Sequence, residues 1–362
     1  MSQQLPRVNT QFLPIVLQGH DRALTTVKYN QDGDLLFTSS KDKFPAVWYS
    51  ETGEMLGTYG PHNGTVWDID PSWDSQYVVT ACSDAYARLF ETTTGKYLAR
   101  CPHKGPVRAC AWSDSGTQFV TASDPFSGTK SREWGAVNIF DFPTPDSLYE
   151  SPTPSSDPAP LHSPKFEIEI MENNKATCLT WTYADQFIIA GFDNGMLVKY
   201  DPVAGKEVTR TTKIHSDRIN QISWNKDKTL FITASKDCYS KIIDPNTFEV
   251  VKEIKTERPV NGAVISPTHP HIILGGGQDA QTVTTGGGAG QSQFQSRFYH
   301  MVYGEEFGRC KGHFGPINAM AIHPYGKSYA TASEDGFVRI MPFEQSYLNV
   351  PDHLPEELRQ QF

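Results

Sequence analysis

No stretch of the 362-residue chain approaches the roughly 20 apolar residues that a bilayer-spanning helix needs. The opening residues, from Met1 to Phe12, lack the apolar core of a secretory leader. These absences predict a cytoplasmic protein that does not enter a membrane. Cysteine is sparse: Cys82, Cys101, Cys110, Cys178, Cys238 and Cys310 show no Cys-x-x-Cys spacing, which fits neither a disulfide framework nor a zinc site. Positive charge is in deficit, with 32 Lys and Arg against 41 Asp and Glu, so the net attraction that autonomous binding to nucleic acid needs is missing. Neither His-Glu-x-x-His nor Gly-x-Ser-x-Gly occurs, and with them go the metal or nucleophile of common hydrolases. Gly275–Gly277 and Gly286–Gly288 do not continue as a phosphate-cradling loop, and Gly326-Lys327-Ser328 has Ala321 where a P-loop requires glycine. The expectation is a protein that is not an enzyme and holds neither cofactor nor metal.

What is present is a globular composition, 38% apolar with 12% aromatic, and a repeat. An alternating apolar run recurs as Val66-Trp-Asp-Ile69, Val107-Arg-Ala-Cys-Ala-Trp112, Ile219-Asn-Gln-Ile-Ser-Trp224, Val260-Asn-Gly-Ala-Val-Ile265 and Ile317-Asn-Ala-Met-Ala-Ile322, with weaker copies from Leu24 and Ala176. A turn residue follows each copy: Asp42, Asp84, Asp124, Asn194, Asp237, Asp279 and Asp335. Both series keep a spacing of 40 to 43 residues, apart from two longer intervals at the same two places. Two markers that agree on period and on insertions establish seven units. Each unit reads as four short strands separated by turns.

In five units a histidine precedes the turn aspartate by 21 or 22 residues: His20 and Asp42, His62 and Asp84, His103 and Asp124, His215 and Asp237, His313 and Asp335. This is the Gly-His to Trp-Asp spacing of the WD40 repeat. The histidine, in the loop entering a blade, is expected to bond the aspartate, a serine two residues before it and a tryptophan on the next strand. Only the first unit retains all four, His20, Ser40, Asp42 and Trp48; the tryptophan position elsewhere holds Phe90, Phe140, Tyr200, Ile243 and Met341. One His–Asp pair per unit is a set of structural clasps spread around a ring, not a converging catalytic group.

A lone four-stranded sheet cannot bury both faces, whereas seven stacked radially cover one another. The chain is therefore expected to be all-β, a seven-bladed WD40 β-propeller over residues 1–342. The segment Gln11–Leu17 should supply the outer strand of blade seven and latch the ring. Residues 142–165, with seven of the 25 prolines, read as a surface loop. A shorter insertion, Phe126 to Gly135, lengthens a turn of blade three, residues 280–296 carry a Gly-rich insertion, and the tail 343–362 is expected to end in a short helix from Pro355. Trp67, Trp112, Trp181 and Trp224 are expected between blades, and Trp73 and Trp134 in turns or insertions as candidate binding anchors. The innermost strands read as mainly apolar or small.

Longer stretches are more specific: Gly19-His-Asp-Arg-Ala-Leu-Thr25, Val47-Trp-Tyr-Ser50, Thr256-Glu-Arg-Pro-Val-Asn261, Leu274-Gly-Gly-Gly-Gln278, and Glu305-Glu-Phe-Gly-Arg309 leading into Lys311-Gly-His-Phe-Gly-Pro-Ile-Asn318. They resemble the subunit I family of the eukaryotic translation initiation factor 3 complex, from about Leu17 to Ile340. The resemblance implies a non-catalytic scaffold that supports mRNA recruitment and scanning on the small ribosomal subunit. It also implies partners within initiation factor 3: a C-terminal helix of its B subunit, docked on blades five and six, and its G subunit. The residues carried over to the contact with the B subunit are Asn220, Gln221, Lys236 and Asp237. The alternative that the repeats alone allow is a generic WD40 signalling adaptor.

Overall fold

The computed structural model describes residues 14–127, 132–142, 163–170, 173–211, 213–277 and 294–348. Its strands are four to seven residues long in most blades because a turn interrupts every apolar run, as at Gly33, whose φ of 76° suits a residue without Cβ. They assemble into seven four-stranded antiparallel sheets, six in chain order from the axis outward and the seventh with the N-terminal strand outermost, plus a two-stranded hairpin in blade three. The inner strands are Leu24–Tyr29, Val66–Pro71, Val107–Trp112, Ala176–Trp181, Ile219–Trp224, Val260–Ile265 and Ile317–Ile322. Consecutive inner strands lie against each other all the way round, blade seven against blade one included.

The second strand of each blade is buried on both faces, and its period of two sends adjacent side chains into opposite seams. Leu36 joins the cluster between blades seven and one, while Phe37 joins that between one and two. Ile272 and Leu274 pack towards blade five, and Ile273 towards blade seven. Seven apolar clusters result, one in each seam. Each fully buried Leu, Ile or Phe contributes about 1.5–3 kcal/mol, so the core of this protein is distributed as a ring of wedges.

Ring closure uses the strand nearest the N-terminus. Ile15–Leu17 pairs antiparallel with the third strand of blade seven, Ile15 opposite Ile340 and Leu17 opposite Val338, and Leu17 is buried in the seam with blade one. The expected latch is therefore present. The hairpin Phe126–Ser127 with Arg132–Glu133 occupies the expected insertion in blade three. Most of the 142–165 and 280–296 insertions, and the helix expected from Pro355, lie outside the described residues. A four-residue helix, Gln345–Leu348, follows the last strand, and its Tyr347 packs on Phe298 and Phe343 of blades six and seven.

Candidate interaction face and central channel

The histidine loops and aspartate turns share one face of the ring. In blade one His20 Nδ1 lies 2.7 Å from Asp42 Oδ2 and Nε2 lies 2.8 Å from the Thr38 hydroxyl. With Nδ1–H donated to the carboxylate, Nε2 accepts the hydroxyl, and Thr38 Oγ1 in turn accepts the Trp48 indole N–H at 2.9 Å. Ser40 is not the histidine's partner: it accepts the Asp42 amide and donates to the Ala23 carbonyl. The element that the His–Asp spacing does not show is the threonine 18 residues after the histidine. It recurs as Thr80, Thr121, Thr233 and Thr331, each bonded to the histidine of its blade.

Three blades bring histidine and aspartate together: His20 with Asp42, His215 with Asp237 at 2.9 Å, and His313 with Asp335 at 3.0 Å. Blades two and three do not, because an arginine holds both carboxylate oxygens, whereas in blade seven Arg339 reaches only Asp335 Oδ2 and His313 keeps its bond. Arg88 takes Asp84 at 2.7 and 2.9 Å, and Arg108 takes Asp124 at 2.5 to 3.0 Å. His62 Nδ1 is left enclosed without a partner, and His103 Nδ1 turns to the Cys101 carbonyl. Burial, reinforced by the Arg88 charge, pulls the His62 pKa down to about 3. Burial likewise takes His103 to about 4, against the pull of the Cys101 carbonyl bond. At Asp237 burial alone would raise the carboxyl, but the His215 bond and the Ser216 and Tyr239 amides hold it at about 2. Blade four carries Asn194 at the turn, and Asp279 of blade six lies outside the described residues.

A second ring lies inside the first. All seven inner strands carry a register shift between their first and third residues, and such a bulge re-aims the extra side chain. That side chain reaches the next blade. Thr25 donates to the Val66 carbonyl at 2.6 Å, Thr177 to Ile219 at 2.5 Å, Asn220 to Val260 at 3.0 Å, Asn261 to Ile317 at 2.9 Å, and Asn318 to Leu24 at 2.8 Å. Five of the seven joints are thus tied by one side-chain bond. Blades two and three instead carry Trp67 and Arg108 at the bulge, with the guanidinium 4.5 Å from the indole centre. Trp67 therefore faces the axis rather than a blade seam, whereas Trp112 and Trp181, at the far end of their strands, are buried between blades and Trp224 packs beside a seam.

The axis is a channel of about 750 Å³. Its wall sets polar side chains, Lys28, Asp68, Asp70, Asn220 and Gln221 among them, beside apolar ones, which corrects the expectation of mainly apolar or small inner strands. Lys28 bridges Asp68 and Asp70 at 3.1 and 3.0 Å, and those carboxylates accept the Cys110 and Trp112 amides of blade three. Gln221 reaches over blade six to pair with the backbone of Met320 in blade seven. These groups are bonded to one another, and no group of His, Cys, Asp or Glu among the described residues could hold a metal. Gly275 and Gly276 sit in a strand against Met320 and the Pro259 carbonyl, where a Cβ would not fit; theirs is a packing role, not a phosphate cradle.

Of the four residues carried over for partner contact, Asn220 and Gln221 are committed to inter-blade bonds and Asp237 to His215, its side chain only 4% exposed. Lys236 is exposed on the turn above them, its amide bonded to the Arg218 carbonyl. Trp73 stands 53% exposed, and Trp134 is half-buried beside the blade-three hairpin.

Seven four-stranded blades, a His–Thr–Asp clasp and a latched seventh sheet define a WD40-type β-propeller. The EIF3I family model matches residues 12–351. The chain is 45% identical over 332 residues to eukaryotic translation initiation factor 3 subunit I of Drosophila willistoni, covering 92% of this chain and 98% of the relative. It is 43% identical over 336 residues to the proteins of that name from Bombyx mori, covering 93% and 97%, and Xenopus tropicalis, covering 93% and 98%. The chain belongs to the eukaryotic translation initiation factor 3 subunit I family, a class of initiation factor subunits rather than of enzymes.

Proposed function

We propose that this chain is a cytoplasmic, non-catalytic scaffold of the initiation factor 3 complex, holding the B and G subunits and so supporting mRNA recruitment and scanning on the small ribosomal subunit. The observation that carries this reading is family membership over nearly the whole chain, joined to a ring whose polar interior is spent on tying blades together. A rigid ring of that kind offers its loops and outer strands as docking edges. The helix of the B subunit is assigned to blades five and six. There Val250 and Val251 of one blade and Val302 and Tyr303 of the next are exposed, and Lys252 Nζ joins the two blades through the Tyr303 carbonyl at 3.3 Å. An apolar rim flanked by Lys252 and Glu253 suits an amphipathic helix. Affinity purification of the full chain followed by mass spectrometry tests the reading: recovery of other initiation factor 3 subunits supports it, and their absence removes it. In the same experiment Val251→Glu with Val302→Glu should deplete the B subunit selectively, and equal recovery would move the contact elsewhere.

A further inference from the structure

Three arginines at the clasps follow a rule that Arg218 breaks. Arg88, Arg108 and Arg339 each pair with the turn aspartate of their own blade. Arg218, immediately before the inner strand of blade five, lies beside the turn of blade four, where Gly195 packs against the His215 and Asp217 carbonyls. That turn carries Asn194 in place of aspartate. The Arg218 Nε is enclosed and has no hydrogen-bond partner, and among the described residues no carboxylate stands within ion-pair distance of its guanidinium. Asp124 and Asp193 act on it only from a distance, and burial together with the like charge of Arg108 pushes its pKa down. A desolvated cation of this kind is costly without a counter-charge.

Arg218 lines the channel together with Arg108, Trp67 and Thr177. We propose that this mouth of the channel, between blades three and five, receives a single carboxylate side chain of an acidic peptide segment, with Arg218 as the primary contact. A guanidinium with free N–H groups matches a carboxylate in two-point geometry. Trp67, stacked by Arg108, forms a flat wall for the stem of that side chain. The channel's own charge admits only one carboxylate of that segment. Deeper in, Asp68 and Asp70 face a single cation, Lys28, so the interior repels further negative charge. A strand of RNA, with a phosphate at every residue, would bring further charges against that interior. The proposal is independent of which proteins bind elsewhere on the ring.

The test is fluorescence polarisation on the full chain at low salt with labelled hexaglutamate, hexaglutamine and a ten-nucleotide oligouridylate. The expected result is binding of hexaglutamate alone, weakened about tenfold by Arg218→Gln, the loss of one charge-assisted contact. Arg218→Lys keeps the charge and should lose less. The melting temperature of Arg218→Gln should hold or rise, since an unpaired buried charge is removed. Absence of hexaglutamate binding, unchanged affinity in Arg218→Gln, or a lowered melting temperature in both variants would overturn the proposal. Preference for the oligouridylate with the same dependence on Arg218 would assign the mouth to nucleic-acid phosphate and overturn it equally.

Discussion

Gly262 is the point where three blades meet, and replacing it with alanine tests whether the inner ring of bonds holds the propeller together. A Cβ on Gly262 would lie 2.7 Å from Met320 Cγ, 2.9 Å from the Met320 amide nitrogen and 3.0 Å from Gln221 Oε1. The amide nitrogen cannot yield without moving the strand, so Gln221 must give way. It then loses both of its bonds to Met320, at 2.7 and 3.3 Å. Overpacking costs about 1–3 kcal/mol and each of the two lost bonds about 0.5–1.5 kcal/mol, so Gly262→Ala should destabilise by roughly 2–6 kcal/mol. Urea unfolding followed by tryptophan fluorescence measures it, with Gly57→Ala as the control, because a Cβ there meets nothing within 4 Å. Gly57→Ala should leave the midpoint nearly unchanged. The Gln221→Ala background isolates the mechanism: if the cost runs through Gln221, Gly262→Ala becomes milder by at least about 1 kcal/mol. Equal midpoints for Gly262→Ala and Gly57→Ala would refute the account of how the blades are tied.

Stability should fall as pH drops from about 6.5 towards 4, before the turn aspartates titrate. The folded pKa values of His62 and His103, about 3 and 4, lie below the unfolded value, so their contribution is present above pH 6.5 and is lost on acidification. At pH 5 the loss is about 2 kcal/mol for each. The double variant His62→Gln with His103→Gln should show a flatter midpoint-versus-pH curve whatever its absolute stability. Asp237→Asn removes the charge from the His215 bond and should cost about 1.5–3 kcal/mol by the same urea assay; any effect of Asp237 on a partner must be measured against that loss. Trp73→Ala should leave stability within about 0.5 kcal/mol, as expected for a half-exposed side chain.

The number of blades, their order and the latch were legible because the 42-residue period and the alternation within strands survive divergence of individual residues. The clasp was legible only in part. His and Asp mark a spacing, but spacing does not say whether an arginine will hold both oxygens of the aspartate. The arginines four residues after Asp84 and Asp335, and the arginine in the bulge of blade three, were the available signals. The inner ring was hidden because a bulge is a backbone event, not a composition. Its trace is the polar residue second in the inner strands, Thr25, Thr177, Asn220, Asn261 and Asn318, each directly after an aliphatic residue. Trp67 was misplaced for the same reason: it occupies the bulge, whereas Trp112 and Trp181 end their strands. Arg218 gave no signal by itself, since its meaning depends on Asn194 in the neighbouring blade.

The pairing of Ile15 with Ile340 also fixes an order of events during synthesis. Ile15–Leu17 emerges ahead of every blade, yet its partner is the last strand of the ring, so the ring is an open arc until that strand has emerged. During that interval the outward face of blade one, with Leu24, Leu36 and Trp48, and the edge of the latch strand are both uncovered. The final closure is a single long-range event in which one strand and one seam form together. The propeller thus behaves as a bracelet whose clasp is made from its two ends, and a truncation at either end opens the seam between blades seven and one.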